Sequence, residues 1–197
     1  MDIKQLNVTA LFSQNFAQIP STNEILGILG LSNEAQVAGI EMPGVKALST
    51  AQGKEVVFEG QRFRVSDKSG IAIESSTVVE DFLKVFNKFG SSESLVAFGF
   101  NYDVIQEAPE GKVVSFVDQG ILKKMGSENF IDNGVRVIFE ENKVVRLDYQ
   151  INTAENQKKI ITHLNVHFDG KTIPDDLQSR FESYHERLKN FVTSILK

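Results

Sequence analysis

The stretch VRVIFEENKVVRLDYQINTAENQKKIITHLNVHF, Val135 to Phe168, decides the fold class. Val135, Val137 and Phe139 recur at every second position, as do Val145, Leu147, Tyr149 and Ile151, and then Ile160, Leu164, Val166 and Phe168 with Thr162 among them. A period of two marks strands with one covered face, so the segment predicts a three-stranded antiparallel meander. A three-residue turn at Glu141-Asn142-Lys143 sets Phe139 opposite Val145. A four-residue loop at 154–157 sets Ile151 opposite Ile160, Tyr149 opposite Thr162, Leu147 opposite Leu164 and Val145 opposite Val166. Every apolar residue then falls on one side of the sheet.

Immediately downstream, Leu177, Phe181, Tyr184, Leu188, Phe191 and Ile195 recur at helical spacing. Ile173-Pro174 marks the start of this helix, since proline is tolerated in a first turn. Asp175 and Asp176 lie at its positive end and Lys189 and Lys197 towards its negative end, as the macrodipole favours. A single buried seam is expected, laid across the chain's own sheet or, as a coiled coil, against a second copy. His185 falls off that seam and reads as solvated.

Upstream, Ile3 to Phe12 reads as a strand with both faces partly covered. Ser21 and Glu24 have the spacing of a capping box, as do Thr77 and Glu80, and each opens an apolar stripe. The second runs through Val78, Phe82, Val85 and Phe89, and Gly90 stops it. Two short strands flank Pro43-Gly44. A hairpin about Glu59-Gly60 sets Val56 opposite Phe63 and Glu55 opposite Arg64. Val96, Phe98, Phe100, Tyr102 and Val104 share one face of a strand from Leu95 to Ile105. The other face carries Gly99, Asn101 and Asp103, and a strand glycine there permits close approach of a ligand or another backbone. Residues 112–126 are read as a helix through Val114, Val117, Ile121 and Met125, with a strand over Val113–Val117 as the alternative.

The expected class is therefore α+β, a mostly antiparallel curved sheet or sheets packed by helices, with a long C-terminal amphipathic helix. The 197 residues are taken as one domain, with two fused subdomains of about 1–110 and 111–197 as the alternative. A strand, a helix and several strands occur twice in order, although the residues do not match.

The composition narrows the function classes. Fifteen Phe, three Tyr and no Trp point to a core built on phenyl rings, or to an apolar pocket or partner surface. The net charge of −5, with only the doublets Lys123-Lys124 and Lys158-Lys159, argues against a nucleic-acid partner. Cysteine is absent, which removes disulfides, thiolate nucleophiles and cysteine-ligated zinc. There is neither a leader-like apolar run at the start nor a window of about 18 apolar residues, so the cytoplasm is the expected location and no membrane is expected.

The polar face of the meander carries the candidate chemistry. The register above sets Asp148 opposite His163 and Arg146 opposite Asn165. An Asp148–His163 pair would orient an imidazole for acid–base work, with Arg146 binding an anionic group. His163 and His167 would stand about 13 Å apart along one strand, too far to share a metal ion. Asn101, Asp103 and His167 are the candidate ligand-binding residues, and Asp118 is a weaker addition. Glu140 and Glu141 point different ways and form no glycosidase-like pair. No phosphate loop, dinucleotide fingerprint or metalloprotease motif appears, so no cofactor or metal is expected. The balance favours a non-catalytic binding or interaction protein, a homo-oligomer or a partner of another protein, with an apolar groove between helix and sheet for a small apolar ligand. The alternative is a small-molecule enzyme centred on Asp148, His163 and Arg146.

Overall fold

A computed structural model describes residues 1–16, 19–31, 37–110, 116 and 132–196. Apart from Phe116, the segment 112–126 expected as a helix, with Asp118 and the Lys123-Lys124 doublet, lies outside the described residues. The strands are β1 (Asp2–Phe12), β2 (Val37–Met42), β3 (Val45–Thr50), β4 (Lys54–Glu59), β5 (Arg62–Asp67), β6 (Leu95–Glu107), β7 (Gly134–Glu141), β8 (Val145–Ala154) and β9 (Lys159–Asp169). The helices are α1 (Thr22–Ile28), α2 (Val78–Phe89) and α3 (Leu177–Ile195). The strands form one antiparallel sheet in the order β2-β3-β4-β5-β1-β6-β9-β8-β7, open at both ends. The chain is therefore of the α+β class, with the expected C-terminal helix.

The sheet has an approximate twofold plan. Central β1 and β6 pair antiparallel, with Asn7 opposite Asn101. β1 is flanked by β5 and β6 by β9, each the last strand of a hairpin series. α2 follows β5 and packs on β1 and β5, whereas α3 follows β9 and packs on β6 and β9. Between helices and sheet lies one core, in which Phe63 stacks on Phe82 at 5.2 Å and Tyr102 on Phe181 at 4.9 Å. The Tyr102 hydroxyl, buried in this core, donates to the Phe181 carbonyl at 2.7 Å. The phenylalanine-rich composition thus goes largely into packing.

Three hairpins differ from the sequence expectation in the same way, by two residues. Leu147 lies opposite Val166, Tyr149 opposite Leu164 and Ile151 opposite Thr162. Phe139 lies opposite Leu147, not Val145. Val56 lies opposite Val65, and Phe58 opposite Phe63. Alternation specifies which face a side chain takes, and a slip of two preserves every face. The partners are set by where the backbone turns left-handed: at Gly60, at Asn142 and Lys143, and at Glu155, Asn156 and Gln157. Glu55 consequently reaches Arg64 along a diagonal, at 3.3 Å, instead of directly across.

The helix termini add further corrections. The Ser21–Glu24 capping box forms in full. Thr77 makes no cap bond; its hydroxyl donates to Asp81 at 2.8 Å, and the Glu80 carboxylate instead holds Lys84 at 2.7 Å. α3 begins at Leu177, and the Ile173-Pro174 step precedes it as a turn whose proline carbonyl accepts from the Leu177 N–H at 3.2 Å. Its buried line is Leu177, Phe181, His185, Leu188 and Val192, with Tyr184, Phe191 and Ile195 only half-buried beside it. A helix of 3.6 residues per turn drifts away from a strict heptad, which carries His185 into the core. On β6, a register irregularity against Leu11 and Phe12 turns Leu95 inward and leaves Val96 exposed.

Candidate functional site

Because both helices pack on one face, alternate residues of the central strands point to the other, which no helix among the described residues covers. From β1 these are Gln5, Asn7, Thr9 and Leu11, and from β6 Ala97, Gly99, Asn101 and Asp103. β5 presents Arg62 and Arg64, and β9 presents His163, Asn165 and His167. The pairings align them in rows across the sheet. One row runs Ser66, Asn7, Asn101, Asn165 and Asp148; the next runs Arg64, Thr9, Gly99, His167 and Arg146. Gly99 carries no side chain, and its row therefore dips between Thr9 and His167. A pocket of about 330 Å³ opens there, lined by residues of β5, β1, β6 and β9.

Gly99 is required by the neighbouring strand. A Cβ at this position would meet the Val166 carbonyl oxygen at 2.7 Å. The close approach of another backbone, one of the two readings of a strand glycine, is met here by β9.

Amides join the central row. Asn165 donates to Asn101 at 2.6 Å, Asn101 donates to Asn7 at 2.7 Å, and Asn7 also accepts from the Thr9 hydroxyl at 3.3 Å. Each amide that both accepts and donates has its orientation fixed, so the floor presents a predetermined set of donors and acceptors. Beside this row the His163 Nδ1 stands 2.7 Å from an Asp103 carboxylate oxygen. That hydrogen bond, opposed by partial burial and helped by the charges of Asp103 and Asp148, raises the His163 pKa above the ordinary histidine value. His167 Nε2 lies 3.0 Å from Asp169.

The expected Asp148–His163 pair does not form. Asp148 stands opposite Asn165, and its carboxylate is forked by Arg136 at 2.9 and 2.6 Å. Those hydrogen bonds hold its pKa below the usual carboxylate range, against the opposing effect of burial. Arg146 stands exposed, opposite His167 instead of Asn165. Asn101, Asp103, His163 and His167, by contrast, are brought onto one surface from two strands that pair directly. The sequence left these as separate candidates because the β6–β9 pairing joins residues far apart in the chain. Asn7, Asn165, Arg62 and Arg64 were missed. Their signal is a polar residue at every second position of a strand whose other face is apolar, as in Leu6-Asn7-Val8-Thr9-Ala10.

The lining has a distinctive charge balance. Arg62, Arg64, His163 and His167 contribute, together with Gln5, Asn7, Asn101, Asn165 and Thr9, but among the described residues no Asp or Glu lines the pocket. The chain as a whole carries −5. Arg62 is held by Glu59 and Arg64 by Glu55, both outside the lining, while the Arg64 Nε is buried with no hydrogen-bond partner among the described residues. Among the described residues, no three His, Asp or Glu side chains converge as a metal-ligand set. No helix among them is long and apolar enough to cross a membrane. No protein-family model matches the chain, and neither does any curated protein sequence.

Proposed function

We propose that the protein is a non-catalytic binding protein that receives a small, hydrogen-bonding anion, a carboxylate or phosphate compound, in the pocket over Gly99. The observation that carries this is the donor-rich lining: two arginines, two histidines and four side-chain amides with no carboxylate among the described lining residues, and an Arg64 Nε that is buried without a hydrogen-bond partner among the described residues. Arginine offers a planar fork suited to carboxylate and phosphate oxygens. A few directed polar groups in a concavity are how small-molecule sites obtain specificity. The Phe-rich packing beneath α2 and α3 supports placing the ligand on the other face of the sheet, and not in an apolar groove under a helix.

Isothermal titration calorimetry with inorganic phosphate, succinate and citrate tests the proposal. At least one should bind with a 1:1 stoichiometry, and Arg64→Gln or His167→Gln should weaken it about tenfold or more while the fold is retained. Absence of binding to all three at millimolar concentration would count against an anion site.

The alternative of a small-molecule enzyme moves from Asp148 to Asp103. His163 oriented by Asp103 at 2.7 Å is an acid–base arrangement at the wall of the same pocket. Turnover of a bound anion that disappears in His163→Gln would favour that alternative.

A further inference from the structure

We infer that β7 is a self-pairing edge through which two copies of this chain join their sheets about a twofold axis at Ile138. β7 ends the sheet, and among the described residues no strand pairs with its outer side. Its exposed apolar residues are Val135 at 38%, Ile138 at 54% and Phe139 at 46%. An uncovered, apolar edge strand is a template for another strand.

The ladder settles which residues face outward. The Thr153 N–H donates to the Asn133 carbonyl at 2.7 Å, so this pair is hydrogen-bonded within the sheet. Antiparallel pairing alternates, and Val135, Val137 and Phe139 therefore spend their backbone groups on β8. Arg136, Ile138 and Glu140 direct theirs to the open side. A second β7 must meet the first through these residues, on both chains.

Charge then selects the register. With Ile138 opposite Ile138 of the second copy, each Arg136 faces a Glu140, twice by symmetry. Glu140 has no ion-pair partner among the described residues. Arg136 is 61% exposed even while it holds Asp148, which leaves guanidinium surface for a second carboxylate. On the other face the same register sets Val137 against Phe139, extending the core beyond the edge of α3, where Phe139 already meets Tyr149 edge-on at 6.0 Å. The opposite edge, β2, has Gly39 at its middle and Glu41 as its only charge, and so has no such self-complementary register.

Sedimentation velocity over a concentration series, with circular dichroism to confirm folding, tests this. The parent should sediment as a species of twice 22.0 kDa that dissociates on dilution. Ile138→Pro removes an outward N–H that β8 does not use, a change tolerated on an edge strand, and should give a folded monomer. Glu140→Lys should weaken the dimer at least tenfold at low salt by facing Arg136 with a like charge. A parent that is monomeric at about 100 μM, or a dimer that survives both substitutions unchanged, would overturn the inference.

Discussion

His163 on β9 and Asp103 on β6 stand directly opposite in the sheet, and their side chains meet at 2.7 Å. The contact raises the His163 pKa, so the folded state holds its proton more tightly than the unfolded chain. The stability this contributes is fully present below the unfolded value of about 6.5. It is lost as the pH rises through the higher folded value. Asp103→Asn should therefore destabilise the protein at pH 5 and have little effect at pH 9, as read by urea unfolding. Both side chains are about a third exposed, 33% and 36%, so the difference should not exceed about 1 kcal/mol. An equal loss at both pH values would mean that the contact acts as a neutral hydrogen bond only.

Arg136 and Asp148 give the opposite pH dependence. The Asp148 side chain is 12% exposed and its pKa is depressed chiefly by the Arg136 hydrogen bonds. Its contribution is present above the unfolded carboxylate value of about 3.9 and is lost as the pH falls through the folded one. Arg136→Gln should lower stability only modestly at pH 7, because Arg136 itself is open to water. Denaturation midpoints for parent and variant should converge as the pH is lowered towards 3.

His185 is buried against Tyr102, with ring centroids 6.0 Å apart, and its Nε2 has no hydrogen-bond partner among the described residues. Burial pushes its pKa down, against weaker opposing effects of Glu74 and Glu186. Below about pH 6.5 the unfolded chain takes up a proton that the folded site resists, and stability falls. His185→Leu removes the polar atom at similar volume. The variant should match the parent within about 1 kcal/mol at pH 8 and gain on it steadily as the solution is acidified. Thermal melts at pH 8, 6.5 and 5.5 would show this; a gap independent of pH would contradict it.

Phe181 and Tyr102 join α3 to the centre of the sheet. Phe181→Ala should cost about 3–5 kcal/mol, since a buried ring is lost and a cavity remains. Tyr102→Phe, which leaves the Phe181 carbonyl without its donor, should cost about 1–2 kcal/mol. Neither residue lies near β7, so chemical denaturation should give the same losses at high and low protein concentration. A concentration-dependent loss would place α3 between subunits.

The class of the fold was legible because alternation and helical stripes report local burial. Val145, Leu147, Tyr149 and Ile151 announce a face whatever lies opposite. Their partners were not legible, because a slip of two residues changes no face and the left-handed residues at Asn142-Lys143 and Glu155-Asn156-Gln157 have no glycine to mark them. His185 was misplaced for a related reason, since the heptad and the 3.6-residue helix diverge over 19 residues. The site was half legible. Asn101, Asp103, His163 and His167 were each singled out, but the β6–β9 pairing that assembles them spans 64 residues between Asn101 and Asn165. No periodicity carries information over that distance.

The Asn7–Asn101 pairing at the middle of the sheet also bears on how the chain is made. The hairpins of each arm close over short turns, but the two central strands meet across 94 residues, and closing such a loop delays the contacts that reward it. During synthesis β1 has already emerged when β6 does, so one side of β6 has its partner strand within the nascent chain. Its other side waits for β9, which is complete only at Asp169. For that interval Phe98, Phe100 and Tyr102, the last two of which later pack on Phe181 of α3, stand at the rim of a growing sheet with bare backbone beside them. Such a rim invites the wrong strand. Aggregation of nascent chains should therefore be most pronounced for products that end between β6 and β9, and pass once β9 is released.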